Sequence, residues 1–281
     1  MSKKKKMTSG VVFFIIIALL FVLSVVIKGN SSEESIQVAM RDAVLHEVNQ
    51  VNFLGMAINP GLVSAFIVSA FLIVVAIILR IFVVPKFTFV PGKVQLVLET
   101  IVGLFSNMAE ENSSHRNKFL KVYMTIAGTY IFVGTIFELF GFQVITTEGH
   151  SIALPAPLAD INGAITMGCL TYLVIMAGGI ITNGLHGLGQ TLKDFSLPIS
   201  MSFRLFGALL SGALVTELVY YYVATSYVLP VVIGVIFTLL HAVIQAYVLT
   251  TLVSSFYGEV TEPHVKKEKI KKKVKNTKTE E

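Results

Sequence analysis

Residues 196–258 read SLPISMSFRLFGALLSGALVTELVYYYVATSYVLPVVIGVIFTLLHAVIQAYVLTTLVSSFYG. This stretch holds only two formal charges, Arg204 and Glu217, and His241 is the other readily titratable group. Leu229-Pro230 divides it, so Ser196–Val228 and Pro230–Phe256 read as two antiparallel apolar helices. A charge inside a membrane span costs at least about 2.5 kcal/mol, so it faces protein or water and marks a functional site. Arg204 stands ~15 Å along the helix axis from Lys193-Asp194, at about 1.5 Å per residue. That is too deep for easy snorkelling to the headgroups. An antiparallel register with its turn near Thr225 sets Gln245 at the depth of Arg204, Ala208 opposite His241, and Glu217 near Val232. A glutamine oxygen can accept from a guanidinium without neutralising it. The first helix measures ~50 Å if helical throughout, against a hydrocarbon core of ~30 Å. It must tilt or kink, with Gly207 and Gly212 as bend points. A steeply tilted hairpin fits against the curved side of a membrane partner.

The rest of the chain agrees. Of 281 residues, 54% are hydrophobic and 14% charged. A soluble domain carries about a quarter charged residues. Cys169 is the single cysteine and lies in an apolar run, which excludes a disulfide framework and a cysteine metal cluster. The net charge of +5 comes from short basic clusters beside apolar runs, as the positive-inside rule requires, and not from a nucleic-acid surface. There is no phosphate loop, so no nucleotide is bound. No cofactor and no metal is expected.

Residues 1–29 pair Lys3–Lys6 with the apolar run Gly10–Ile27, which fits a signal peptide or an anchor helix equally. Residues 30–61 are polar and external, with a short surface helix marked by Ile36, Met40, Val44 and Val48. Leu62–Val84 is a span stopped by Arg80, Pro85 and Lys86. After the turn Val90-Pro91-Gly92-Lys93, Val94, Val97, Leu98, Ile101, Val102, Phe105 and Met108 form one stripe of an amphipathic helix lying along the inner surface. Phe119–Phe140 crosses outward, Gln143–Ala159 is an external loop, and Ile161–Ile181 crosses back. His186, Lys193 and Asp194 mark a glycine-rich inner loop. No Lys or Arg lies between Lys121 and Lys193, in keeping with these sides. The predicted fold is an all-α membrane protein. It has five transmembrane helices, an in-plane amphipathic helix and an extra N-terminal hydrophobic segment, and its last two helices form a long tilted antiparallel hairpin. The membrane domain is 62–258, and 259–281 is a lysine-rich cytoplasmic tail, solvated or touching lipid headgroups.

From about Leu62 to Tyr257 the sequence resembles subunit a of the F-type ATP synthase, bacterial type. The strongest match is Pro198-Ile199-Ser200-Met201-Ser202-Phe203-Arg204-Leu205-Phe206-Gly207, with a proline six residues before the arginine and Leu-Phe-Gly after it. Gln245-Ala246-Tyr247-Val248 matches the Gln-Ala-aromatic segment of the last helix. Val90-Pro91-Gly92-Lys93-Val94-Gln95 with Glu99 matches the turn and in-plane helix. Pro155, Asp160, Ile161, Asn162 and Thr166 match the entry to the fourth family helix.

The resemblance implies a non-catalytic subunit in a bacterial inner membrane, its C-terminus cytoplasmic. It faces a ring of carboxylate-bearing c subunits and supplies two offset half-channels, with Arg204 separating them and Gln245 beside it. The peripheral stalk subunit b, the soluble F1 sector and membrane lipids are the other implied partners. An arginine suits this place because it stays protonated under all working conditions. The chain also departs from the family. Ala208 stands where asparagine is frequent, and Ala213 and Thr238 replace the usual titratable pair of the outer half-channel. Glu217, His241, Asp160 and Asn162 are then the candidates for lining the outer path, and Gln190 and Ser200 for the inner one. Without that pair, both H+ and Na+ stand as the carried ion. The rival readings are a self-contained secondary transporter, which lacks convincing internal repeats here, and a structural anchor, which needs no arginine at the depth of a glutamine.

Overall fold

The computed structural model describes residues 15, 19, 22, 50–53, 55–113, 118–147, 149, 151–221 and 229–262. Ile15, Leu19 and Val22 are helical and exposed. The remainder of the N-terminal hydrophobic segment, the surface helix expected over Ile36–Val48 and the lysine-rich tail from residue 263 lie outside the described residues.

Two β-hairpins come with the helices. Strands β1 (Val51–Phe53) and β2 (Met56–Ile58) pair antiparallel with Val51 opposite Ile58. Their turn holds Gly55 at φ 84°, a left-handed conformation that side chains resist. Helix α1 (Pro60–Ile78) begins at Asn59, whose side chain accepts from the Gly61 amide, with Pro60 in the first turn where a missing N–H costs nothing. It continues as a π-helical turn (Leu79–Val83) and a 3-10 turn (Val84–Lys86). Pro85 explains the change of winding: it cannot donate to the carbonyl four residues back, and the amide of Val84 reaches Leu79 instead.

Helix α2 (Lys93–Asn112) follows Gly92 and buries only Phe105 and Ala109, while Val94, Leu96, Val97, Ile101, Val102 and Leu104 are exposed. Helix α3 (Lys118–Phe137) tightens into a 3-10 turn at Glu138–Phe140 and ends at left-handed Gly141. The expected external loop contains a second hairpin, β3 (Gln143–Ile145) with β4 (Ser151–Ala153). Helix α4 spans Ile161–Asn183. The segment expected as a glycine-rich loop is instead helix α5 (Leu185–Lys193). Gly187 serves packing: a Cβ there would collide with the Gly179 carbonyl, so only glycine lets α5 fold back this closely on α4. Helix α6 (Ser196–Tyr221) runs uninterrupted through Gly207 and Gly212, and helix α7 (Leu229–Thr261) runs well beyond the expected end at Phe256.

Among the described residues, five helices are long and apolar enough to cross a membrane: Pro60–Lys86, Lys118–Phe140, Ile161–Asn183, Ser196–Thr216 and Val231–Thr261. Helix α2 is not among them. The chain is an all-α membrane protein with an additional long amphipathic helix.

Its contacts divide into two units. The first comprises the chain up to Phe87 with Thr129–Met167 and Met201–Tyr247, and its core gathers Val51, Val63, Val68, Phe137 and Leu154. The second comprises Thr88–Gly128, Gly168–Ser200 and the chain from Val248. Polar ties hold it: Tyr123 Oη and Thr171 Oγ1 at 2.7 Å, Tyr172 Oη donating to the Thr191 carbonyl at 3.0 Å, and Ser254 Oγ donating to the Met108 carbonyl at 2.7 Å. Lys121 is ion-paired with Glu110 in the same unit.

Candidate functional site

The first unit holds the charge singled out by the sequence. Helix α6 presents two faces there. Met201, Ser202, Leu205 and Leu209 are buried, whereas Phe203, Arg204, Gly207 and Ser211 are exposed. Arg204 therefore points outward from an apolar helix, beside Phe203 at 64% exposure. No carboxylate pairs with it among the described residues.

Helix α7 buries Ala242, Gln245, Ala246 and Leu249 and exposes Leu239, Leu240, Val243, Ile244 and Tyr247. Gln245 is 7% exposed, and its Oε1 is buried without a hydrogen-bond partner among the described residues. Matched depth predicts that Arg204 meets Gln245, yet no hydrogen bond joins them. The two residues occupy different faces: the arginine the outward one, the glutamine the packed one. A buried carbonyl oxygen left without a donor costs about 1–3 kcal/mol, so the Gln245 oxygen has room for a donor that the described residues do not supply.

A cavity of about 250 Å³ lies in the same unit. Gly212, Ala213 and Thr216 of α6, Gly234, Thr238 and His241 of α7, and Glu138 beyond α3 contribute to its wall. A Cβ on Gly212 would lie 3.3 Å from His241 Nδ1, and the His241 ring meets Phe237 edge-on at 5.9 Å between centroids. The sequence register set Ala208 opposite His241, but the ring reaches Gly212, one turn further along. Side chains on a helix lean toward its N-terminus, which carries the ring that way.

Glu138 escaped the sequence reading because it sits at the end of an apolar span, between Phe137 and Leu139. The available signal was a lone carboxylate in a stretch without Lys or Arg. The other expected residues are placed as follows. Asp160 is buried and accepts from the Asn162 amide at 3.2 Å, which is the geometry of a helix cap for α4. The exposed Asn162 donates its own side-chain amide back to the same oxygen. Gln190, in the second unit, donates to the Glu259 carbonyl at 3.4 Å. Ser200 is exposed. The side chain of Glu217 lies outside the described residues. Among the described residues, no three His, Cys, Asp or Glu side chains gather where a metal could sit.

Residues 63–258 match the family model described as ATP synthase A chain. The chain belongs to this family. It is 27% identical over 176 residues to "ATP synthase subunit a" of Cereibacter sphaeroides (strain ATCC 17025 / ATH 2.4.3), covering 58% of this chain and 67% of that one. It is 32% identical over 155 residues to "ATP synthase subunit a, chloroplastic" of Stigeoclonium helveticum, covering 47% of this chain and 61% of that one. The match thus spans roughly two thirds of the length of these relatives. Family and helices together make this a multi-pass membrane protein and an F0 subunit of an F-type ATP synthase, serving ATP synthesis and ion transport.

Proposed function

We propose that this chain is the ion-translocating stator subunit of a rotary ATP synthase, with Arg204 as the fixed charge that separates two half-channels. The observation that carries this reading is the outward guanidinium of Arg204 on an apolar helix of the first unit, with no carboxylate paired to it among the described residues. Such a charge needs a counter-charge from another chain, and a ring of c subunits bearing carboxylates supplies one at each step. In low dielectric the fixed cation stabilises an empty carboxylate and repels a travelling cation, so an ion cannot pass directly from one half-channel to the other. The membrane potential contributes about 2.3 kcal/mol per charge per 100 mV to the transfers. The Gln245 oxygen meets the guanidinium when it swings inward, or meets water. Of the proposed lining residues, His241 belongs to the outer path, and Asp160 and Gln190 support helix ends instead. The rest of the placement follows the same reading: residues 62–258 as the membrane domain, a bacterial inner membrane, a cytoplasmic C-terminus, and contacts with subunit b, the F1 sector and lipids. ATP chemistry itself takes place on other subunits.

The test is Arg204→Ala in the intact complex reconstituted into liposomes. Ion-coupled ATP synthesis is expected to vanish, while the detached soluble head hydrolyses ATP at the parental rate. Parental coupled synthesis in the variant overturns the role.

A further inference from the structure

We propose that the lysine-rich tail, residues 263–281, is an electrostatic tether that grips acidic phospholipid headgroups of the cytoplasmic leaflet. This inference deepens the lipid contact of the function proposed above and rests on its cytoplasmic C-terminus. The family match ends at residue 258, so family membership does not account for the tail. Those nineteen residues carry eight lysines against three glutamates. The second unit fixes where this charge begins. Asn183 donates to the carbonyls of Val260 at 2.8 Å and Glu262 at 2.9 Å, and Gln190 of α5 donates to that of Glu259 at 3.4 Å. The buried hydroxyls of Ser113 and Thr261 meet at 3.4 Å. The last carbonyls of a helix have no intrahelical donor, so these side chains pin the end of α7 between the end of α2 and the α4–α5 junction.

Both neighbours of that exit are interfacial helices. Helix α2 is not one of the spans, yet Val94, Val97, Ile101 and Leu104 recur at helical spacing along it and are exposed. Helix α5 is short and exposes Leu185 at 86% and Leu192, with exposed Lys193 beside them. An amphipathic helix that does not span lies in the plane of the headgroups with its apolar face in the acyl boundary. The tail therefore leaves the second unit at headgroup depth. Lys266 follows Thr261 by five residues, at most ~18 Å of chain. The cytoplasmic leaflet carries negative charge, and each lysine held near it multiplies binding about fivefold. A leaflet surrounds this exit in every orientation of the complex, whereas an acidic protein surface has to be brought to it. Charge complementarity and the pinned exit thus favour lipid.

The test uses the whole complex with a fluorescent maleimide probe at Asn276→Cys, the chain's single native cysteine being removed by Cys169→Ser. The complex is reconstituted into vesicles of phosphatidylcholine alone, or of phosphatidylcholine and phosphatidylglycerol in equal parts. Each carries a trace of nitroxide-headgroup phosphatidylcholine as quencher. Quenching is expected to be severalfold stronger with phosphatidylglycerol. It is expected to fall to the phosphatidylcholine level in molar salt, where the Debye length is about 3 Å. Lys271→Gln, Lys272→Gln and Lys273→Gln together are expected to lower it in the same way, with ATP hydrolysis by the complex at the parental rate. Equal quenching in the two vesicles overturns the tether, and so does quenching that survives molar salt. A probe unquenched in both vesicles, yet as restricted in motion in detergent as in lipid, assigns the tail to an acidic protein surface and also overturns it. Labelling of Asn276→Cys by an impermeant maleimide added to intact cells overturns the cytoplasmic placement itself. Equal quenching without such labelling leaves that placement standing and removes the tether alone.

Discussion

Gly212 of α6 faces the imidazole of His241 on α7, so closely that a methyl group there would lie 3.3 Å from Nδ1. The absent side chain is what leaves the ring beside open space, and Ala213 and Thr216 continue the same wall. Gly212→Ala is therefore expected to be tolerated, since the ring needs to give only a few tenths of an ångström. Gly212→Leu fills the cavity and displaces the ring. It is expected to reduce ATP-driven ion transport severalfold more than Gly212→Ala, with the chain still co-purifying with the ring. Equal transport in the two variants would show that the cavity is not on the ion path.

A different result is expected at Asp160. Its Oδ1 accepts from the Asn162 amide at the start of α4, and its Cβ lies against Gly61. Asparagine caps a helix about as well as aspartate, whereas alanine costs about 0.5–2 kcal/mol. Asp160→Asn should thus leave both ion transport and thermal stability of the complex near parental, and Asp160→Ala should lower stability alone. A transport defect in Asp160→Asn with unchanged stability would return Asp160 to the ion path.

The contrast between these two sites shows what sequence can reveal here. The spans and the hairpin are legible because hydropathy and Pro230 act locally, and Arg204 is legible because a lone charge in an apolar run is visible without coordinates. Helix α5 is not legible, since its glycines carry the same composition as a loop, and only the close approach of Gly187 to Gly179 tells packing from turning. The short strands β3 and β4 hide inside a segment that reads as a loop. The cavity is hidden for a third reason: Glu138, Gly212 and His241 are far apart in the chain, and only folding joins them. Depth matching sets Gln245 at the level of Arg204, but it cannot tell which face of its helix each residue occupies: Gln245 is buried and Arg204 exposed.

Asn183 yields a prediction about the last helix. Its side-chain amide donates to the carbonyls of Val260 at 2.8 Å and Glu262 at 2.9 Å. Those carbonyls belong to the end of α7, where no intrahelical donor remains. Asn183→Leu removes both bonds, each worth about 1 kcal/mol net. Amide exchange across residues 257–262 should accelerate about tenfold or more, at 1.4 kcal/mol per factor of ten. Exchange within α3 should be unchanged. Unaltered protection at the end of α7 would show that the bonds to Asn183 do not hold it.

Gly258 sits where α7 passes the end of α2, and a Cβ there would overlap the Asn112 carbonyl oxygen. That oxygen is backbone and cannot rotate away, unlike the end of a flexible side chain. Gly258→Ala must therefore push α7 off α2, and overpacking of this kind costs about 1–3 kcal/mol. The control is Gly103→Ala on α2, whose new methyl meets nothing within 4 Å. Removing a helix-interior glycine there should instead gain up to about 1 kcal/mol. In thermal unfolding of the solubilised complex, Gly258→Ala should lower the midpoint and Gly103→Ala should hold or raise it. A parental midpoint for Gly258→Ala would mean that the two helices separate without cost, and that the close approach of Gly258 to Asn112 does not fix their packing.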